Sequence, residues 1–123
     1  MRTKTIPFAL ILLVFSISDR AAAHACLDHA DPKVGADVAK APAEIRIWFN
    51  EPVEPAFSTI EVFDASGNQV DKRDTHLDSK DNTLLIVSVP ASSGGKFKVV
   101  WKVVAKDTHR TNGEFKFTVK TAN

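Results

Sequence analysis

The stretch KFKVVWKVVAKDTHRTNGEFKFTVK, residues 96–120, decides the fold class. Apolar residues occupy every second position on both sides of its polar centre: Phe97, Val99, Trp101 and Val103 before it, and Phe115, Phe117 and Val119 after it. Alternation with a period of two is typical of half-buried β-strands, since successive side chains leave opposite faces of a sheet. The sequence therefore predicts two paired strands with Trp101 in the core. Residues 107–114 are predicted to be the surface connection between them.

Further short strands are predicted upstream of this pair. They are Cys26–Ala30, Glu44–Phe49, Thr59–Phe63, Thr83–Val89 and a weak edge strand within Gln69–Leu77. Clusters of Pro, Gly, Asn and Asp separate them, and no segment has the apolar period of a helix. Roughly six or seven short strands in one domain are typical of an all-β, antiparallel sandwich or barrel of the immunoglobulin-like kind.

The first 23 residues are predicted to be a signal peptide that is removed after Ala23. Arg2 and Lys4 precede an apolar segment at 6–15, and Ala21–Ala23 offers small residues for cleavage. The apolar segment is too short to cross a hydrocarbon core of about 30 Å as a helix, so no membrane anchor is expected. Residues 24–123 are then expected to form one exported domain.

The charge balance of that domain is close to neutral. The chain of 123 residues contains 16 Lys and Arg against 15 Asp and Glu; three of the basic residues and one acidic residue belong to the leader. The remaining 13 and 14 give residues 24–123 a formal net charge of −1. Nucleic acid is therefore not expected as a partner. The single cysteine, Cys26, cannot form an internal disulfide.

Three residues are predicted to bind a metal. Cleavage after Ala23 makes His24 the N-terminal residue, whose α-amine and imidazole can chelate one ion together. Asp107 and His109 add an oxygen and a nitrogen, and their side chains share a side if the chain is extended there. A tetragonal set of nitrogen and oxygen ligands suits Cu(II) best, whereas Zn(II) prefers a tetrahedral one. From the residues alone, Asp107 as a turn cap and His24 as a frayed terminus remain open alternatives.

The sequence resembles the CopC-type periplasmic copper-resistance proteins over nearly all of residues 24–123. The matching segments are His24–Ala25, Leu27–Pro32 with Gly35, Ile47–Ser58, Val99–Val104 and Asp107–Phe115. The most specific feature is Asp-x-His placed after a Trp-centred strand and before Gly-x-Phe. The resemblance implies a Greek-key β-sandwich or barrel that binds one Cu(II) per chain through His24, Asp107 and His109. It also implies a CopD-type inner-membrane copper transporter as a partner.

The sequence departs from some relatives in ways that bear on copper. Residues 24–123 contain no methionine, so the thioether ligands that select Cu(I) are absent and a Cu(II)-only site is expected. Cys26 is expected to be inert, with copper ligation as an alternative. Glu51 is expected either to orient a ligand or to be a solvated loop carboxylate. His29 is expected to be structural and His76 exposed.

The function predicted from these features is a carrier or buffer that holds Cu(II) in the periplasm and is not an enzyme. One alternative is a copper monooxygenase acting on polysaccharides, against which stand the small size of the chain and its lack of tyrosine. The other is an immunoglobulin-like interaction module in which Asp107 and His109 are turn residues without a metal.

Overall fold

Alternating buried and exposed positions build two four-stranded sheets in the computed structural model, which describes residues 25–121. The strands are β1 (Leu27–Asp31), β2 (Asp37–Val38), β3 (Glu44–Phe49), β4 (Thr59–Phe63), β5 (His76–Leu77), β6 (Leu84–Ser88), β7 (Gly95–Val104) and β8 (Arg110–Val119). The sheet orders are β1-β3-β6-β5 and β2-β8-β7-β4. The predicted all-β sandwich in a single domain is confirmed. The predictions made for residues 1–23 and for His24 lie outside the described residues.

The first sheet follows the sequence pattern closely. In β3 the side chains of Ile45, Ile47 and Phe49 are buried, while the residues between them are partly exposed. Its neighbour β6 is buried on both faces over residues 84–87, as expected for a β-branched and aliphatic strand in the middle of a sheet. β1 pairs antiparallel with the other edge of β3, and the register is irregular between Leu27 and His29.

The second sheet is built around β7 and β8, which pair from Gly95 opposite Val119 to Val104 opposite Arg110. The surface connection is therefore only residues 105–109, and the prediction that it extends to 114 is wrong. Residues 110–114 are polar on average and lack apolar alternation, but their backbone groups continue the ladder with β7. Polar side chains are compatible with a strand wherever its outer face is solvated.

Two other segments differ from the sequence prediction. Asp37–Val38, where no strand is predicted, forms β2 and pairs in parallel with β8, so this sheet is mixed and not purely antiparallel. Two residues are too few to show a period. Of the edge strand predicted in Gln69–Leu77, only β5 forms. The backbone N–H groups of Val62 and Ile60 in β4 instead donate to the side chains of Asp71 (2.8 Å) and Thr75 (3.1 Å).

The core lies between the two sheets and contains Trp101, as predicted. Trp101 is only 8% exposed, and its ring meets that of Phe49 edge to face, with centroids 5.3 Å apart. Burial of each large apolar side chain of this kind contributes about 1.5–3 kcal/mol. No helix within residues 25–121 is long and apolar enough to cross a membrane.

Candidate metal site

The turn between β7 and β8 carries two of the three predicted ligands. The N–H of Ala105 donates to the carbonyl of His109 (3.0 Å), and the N–H of Thr108 donates to the carbonyl of Ala105 (2.9 Å). Thr108 has φ of 73°, the left-handed region that β-branched residues rarely adopt. The chain is thus tightly turned at this point, and the condition that it be extended at Asp107 and His109 is not met.

The side chains of Asp107 and His109 nevertheless converge. One Asp107 oxygen, Oδ1, accepts the backbone N–H of His109 at 3.1 Å, and the other, Oδ2, lies 3.1 Å from His109 Nδ1. Both side chains reach solvent, with exposed fractions of 43% and 60%. When Nδ1 carries the ring proton it donates to Asp107, and Nε2 then bears the lone pair that a metal needs. In that state Asp107 orients the ring and Nε2 points away from the carboxylate. When Nδ1 is instead the unprotonated nitrogen, Nδ1 and the Asp107 oxygens face the same point and can share one ion.

The turn rests on a rigid base. Ala105 is fully buried and bridges to Val53, and the N–H of Glu54 donates to the carbonyl of Val104 at 2.7 Å. The buried Ser58 hydroxyl accepts the N–H of Val104 (3.1 Å) and donates to the carbonyl of Glu54 (2.6 Å). These contacts fix the end of β7 against residues 53–58, so the ligand-bearing turn starts from an immobilised strand.

The beginning of the described chain is fixed beside the same turn. Ala25 is fully buried, and its carbonyl accepts the hydroxyl of Thr111 at 2.6 Å, two residues beyond His109. Cys26 and Asn50 exchange two further hydrogen bonds, from Cys26 N–H to Asn50 Oδ1 (2.8 Å) and from Asn50 N–H to the Cys26 carbonyl (3.0 Å). The third predicted ligand, His24, is the residue bonded to Ala25 and lies outside the described residues.

The other candidate residues do not complete the site. Within residues 25–121, no three side chains of His, Cys, Asp or Glu are close enough together to hold a metal ion. Asp107 and His109 therefore do not form such a group with Cys26 or Glu51. The thiol of Cys26 is exposed. Glu51 is half-buried, and the neighbouring Pro52 accepts the N–H of Lys106 at 3.4 Å, which brings this loop alongside the turn.

The two remaining described histidines lie elsewhere. His29 stacks on the ring of Trp48, with centroids 4.3 Å apart and planes 10° from parallel, and its Nδ1 is 2.7 Å from Asp28 Oδ2. This packing agrees with the structural role predicted for His29. His76 is exposed, as predicted, and its Nδ1 is 2.7 Å from the carbonyl of Asp74.

Sequence reasoning missed two residues that position the site, Thr111 and Ser58. Each acts through a hydrogen bond from its side chain to backbone distant in sequence, 86 residues away for Thr111 and 46 for Ser58. The residues around a hydroxyl in a polar segment form no pattern that predicts a hydrogen bond to a distant part of the chain. Only the fold brings the two ends of these contacts together.

Comparison with known proteins decides the family. The family model described as the CopC domain matches residues 27–120, which contain both strands and the turn of the candidate site. The chain belongs to the CopC family. The resemblance predicted from the sequence is confirmed, and the match spans every strand described above.

Relatives and solved structures of the CopC fold agree with this assignment. Protein YobA of Escherichia coli (strain K12) is 32% identical over 119 residues, covering 95% of this chain and 96% of YobA. Copper transport protein CutJ of Bacillus subtilis (strain 168) is 29% identical over 115 residues, which are 93% of this chain but 21% of CutJ. The crystal structure of CopC from Methylosinus trichosporium OB3b superposes with a TM-score of 0.76 at 28% identity, covering 81% of this chain and 97% of that one. PcoC, a methionine-rich copper resistance protein from Escherichia coli, superposes with a TM-score of 0.70 at 26% identity, covering 79% and 99%.

Proposed function

We propose that this protein binds one Cu(II) ion through His24, Asp107 and His109 and carries or sequesters copper in the periplasm. The observation that carries the proposal is the convergence of Asp107 and His109 at an anchored turn, where Asp107 Oδ2 lies 3.1 Å from His109 Nδ1. Membership of the CopC family confirms the general part, a copper-binding protein of copper resistance. The oxidation state of the copper, its stoichiometry and its ligand set are the parts that we add as a proposal.

The ligand set is supported by the anchoring of Ala25. A chelate formed by the α-amine and imidazole of His24 requires that the residue after it be held near Asp107 and His109. The contact between the Ala25 carbonyl and the Thr111 hydroxyl supports this placement, because Thr111 lies on β8 two residues after His109. The chelate further requires cleavage after Ala23, since an amide nitrogen at His24 binds copper only after losing its proton.

The preference for Cu(II) is supported by ligand chemistry. Imidazole, amine and carboxylate are ligands that suit Cu(II), whereas thioethers and thiolates select Cu(I). PcoC is a methionine-rich protein, while residues 24–123 of this chain contain no methionine. The one thiol, on Cys26, is not part of a three-residue cluster with Asp107 and His109 among the described residues. The site therefore offers hard and borderline ligands to an oxidised ion.

The role as a carrier is a proposal about partners. CutJ, a copper transport protein, contains a region matching this chain that makes up 21% of its length. We infer that a separate CopD-type inner-membrane transporter receives copper from this protein, or that the protein holds the ion when no acceptor is present. A non-catalytic role predicts that the copper-loaded protein, given a reductant, a co-oxidant and polysaccharide, releases no oxidised sugars.

The decisive experiment is titration of the correctly processed protein with Cu(II), followed by paramagnetic resonance. His109→Ala should weaken binding by more than about a hundredfold, beyond the roughly 10–100-fold typical of losing a residue that only orients a ligand. His76→Ala is the matched control and should leave the affinity unchanged. Asp107→Asn separates ligation from orientation, because the amide keeps an acceptor for the His109 ring but loses the negative charge.

Two further variants test the N-terminal part of the site. A protein that retains one residue before His24 should fold normally and bind Cu(II) much more weakly, because its amine has become an amide. Thr111→Val removes the hydroxyl held by Ala25 at nearly constant shape, and should also lower the affinity. If the extended protein binds as tightly as the processed one, the terminal chelate is wrong and the site must be built from His109 with other residues.

A further inference from the structure

One aromatic side chain near the turn is conspicuously exposed. The side chain of Phe57 is 72% exposed. Among residues 25–121, the only other large hydrophobic residue that is exposed is Val34. Phe57 closes the 3₁₀ turn at Pro55–Phe57, and its N–H donates to the carbonyl of Glu54 at 3.3 Å. The next residue, Ser58, is bonded to β7, so the ring stands on a fixed support.

A groove of about 340 Å³ lies beside Phe57. Its floor and walls come from the outer face of the second sheet, where Thr59 and Asn112 both pair with Lys102, and Arg110 pairs with Val104. The groove thus has an exposed ring at one side, the apolar side chain of Val104 within it, and two cationic side chains on its walls.

The charge of the groove is positive. Within residues 25–121, no carboxylate lies within 4.0 Å of the Arg110 guanidinium. Lys102 is 64% exposed and contacts one carboxylate, Glu61, at 3.3 Å between Nζ and Oε1. Exposed pairs of this kind contribute little energy, so Lys102 can exchange its partner at small cost. A ligand that complements the groove has negative charges flanking an apolar side chain.

Arg110, which lines the groove, follows His109 in sequence, so the groove begins one residue after the ligand-bearing turn. We propose that the Phe57 groove docks an acidic segment, with one apolar anchor residue, of the protein that exchanges copper with this chain. The inference rests on the proposed function, since docking here brings a partner to the ligand-bearing turn. The apolar anchor packs against Phe57 and Val104, and the acidic residues meet Lys102 and Arg110.

The test uses a short synthetic peptide of Asp and Glu residues around one Leu, titrated into the processed protein and followed by amide chemical shifts. We expect saturable shifts centred on Phe57, Lys102 and Arg110, and an affinity that falls as salt is raised. Phe57→Ser and Arg110→Gln should each weaken binding at least tenfold. Their matched controls are Val34→Ser and Lys116→Gln, which alter the other exposed large apolar side chain and a cation outside the groove. Both controls should leave the affinity for the peptide unchanged.

Several outcomes would overturn the proposal. One is that a peptide with Asn and Gln in place of Asp and Glu binds as tightly as the acidic peptide. Another is that the control variants lose as much affinity as Phe57→Ser and Arg110→Gln. A third is that the amide chemical shifts change at residues away from the groove. Self-association that Phe57→Ser abolishes would instead identify a second copy of this chain as the occupant. Binding to phosphatidylglycerol vesicles without binding to the peptide would identify a membrane surface. Copper affinity of Phe57→Ser is measured separately and should equal that of the parent, so failure of docking and failure of copper binding are distinguishable.

Discussion

Replacing Gly113 with alanine should destabilise the protein although the change adds a single methyl group. Gly113 lies in β8 directly opposite Trp101 in β7. A Cβ atom at this position would lie 2.4 Å from Cζ2 of the Trp101 ring, 2.7 Å from Cε2 and 3.0 Å from Nε1. The indole ring therefore occupies the space that any side chain at residue 113 would need.

The magnitude follows from how far the ring can retreat. Ordinary contacts begin at 3.4 Å, so the ring must move by about 1 Å in a close-packed interior. Trp101 is 8% exposed and already packs edge to face on Phe49. Overpacking of this kind costs about 1–3 kcal/mol, and removing the glycine's freedom in the unfolded chain offsets about 0.5–1 kcal/mol. We expect a net loss of about 1–2 kcal/mol, with a fall in Tm of about 4–8 °C for each kcal/mol in a domain of this size.

The assay is urea unfolding of the processed protein, followed by fluorescence of its two tryptophans. Gly113→Ala should lower the midpoint, and Trp101→Leu, which makes room above residue 113, should nearly abolish the effect in the double variant. This cycle isolates the contact between the two residues from other consequences of either substitution. The reasoning is refuted if Gly113→Ala costs as much in the Trp101→Leu background as in the parent, or if it stabilises the parent.

Two further predictions concern carboxylates that bond to backbone. Asp71→Ala should cost about 1–3 kcal/mol in urea unfolding, because it leaves the N–H of Val62 without its buried acceptor; a midpoint equal to that of the parent would contradict this. Hydrogen bonds from the Thr83 side chain and backbone lower the pKa of Asp81, so the stability from this contact is present above the ordinary Asp pKa of about 3.9 and is lost as the pH falls through the lowered value. Asp81→Asn should therefore show a smaller loss of Tm on acidification, and parallel pH profiles of variant and parent would count against the assignment.

The sequence by itself determined the features that depend on local periodicity and residue chemistry. The bounds of β3 and β4 were predicted as the structure has them, and the core position of Trp101 followed from alternation alone. These predictions hold because side-chain direction in a strand is set by the backbone with a period of two, whatever the strand packs against. Asp107 and His109 were also predicted as a pair, but for a partly wrong reason, since the turn at Thr108 and not an extended chain makes them meet.

The tertiary structure decided what depends on contacts between residues far apart in sequence. An Asn-Gly pair at 112–113 indicates a turn locally, yet Gly113 is a strand residue because its backbone pairs with Trp101 in β7. The Trp101 ring occupies the space that a side chain at residue 113 would fill. Likewise, β2 exists only because the backbone of β8 supplies its hydrogen bonds, and the Thr111 hydroxyl gains a role only when Ala25 lies beside it. Packing against a distant neighbour leaves no periodic trace in either partner, so these features emerge only when the two sheets close on each other.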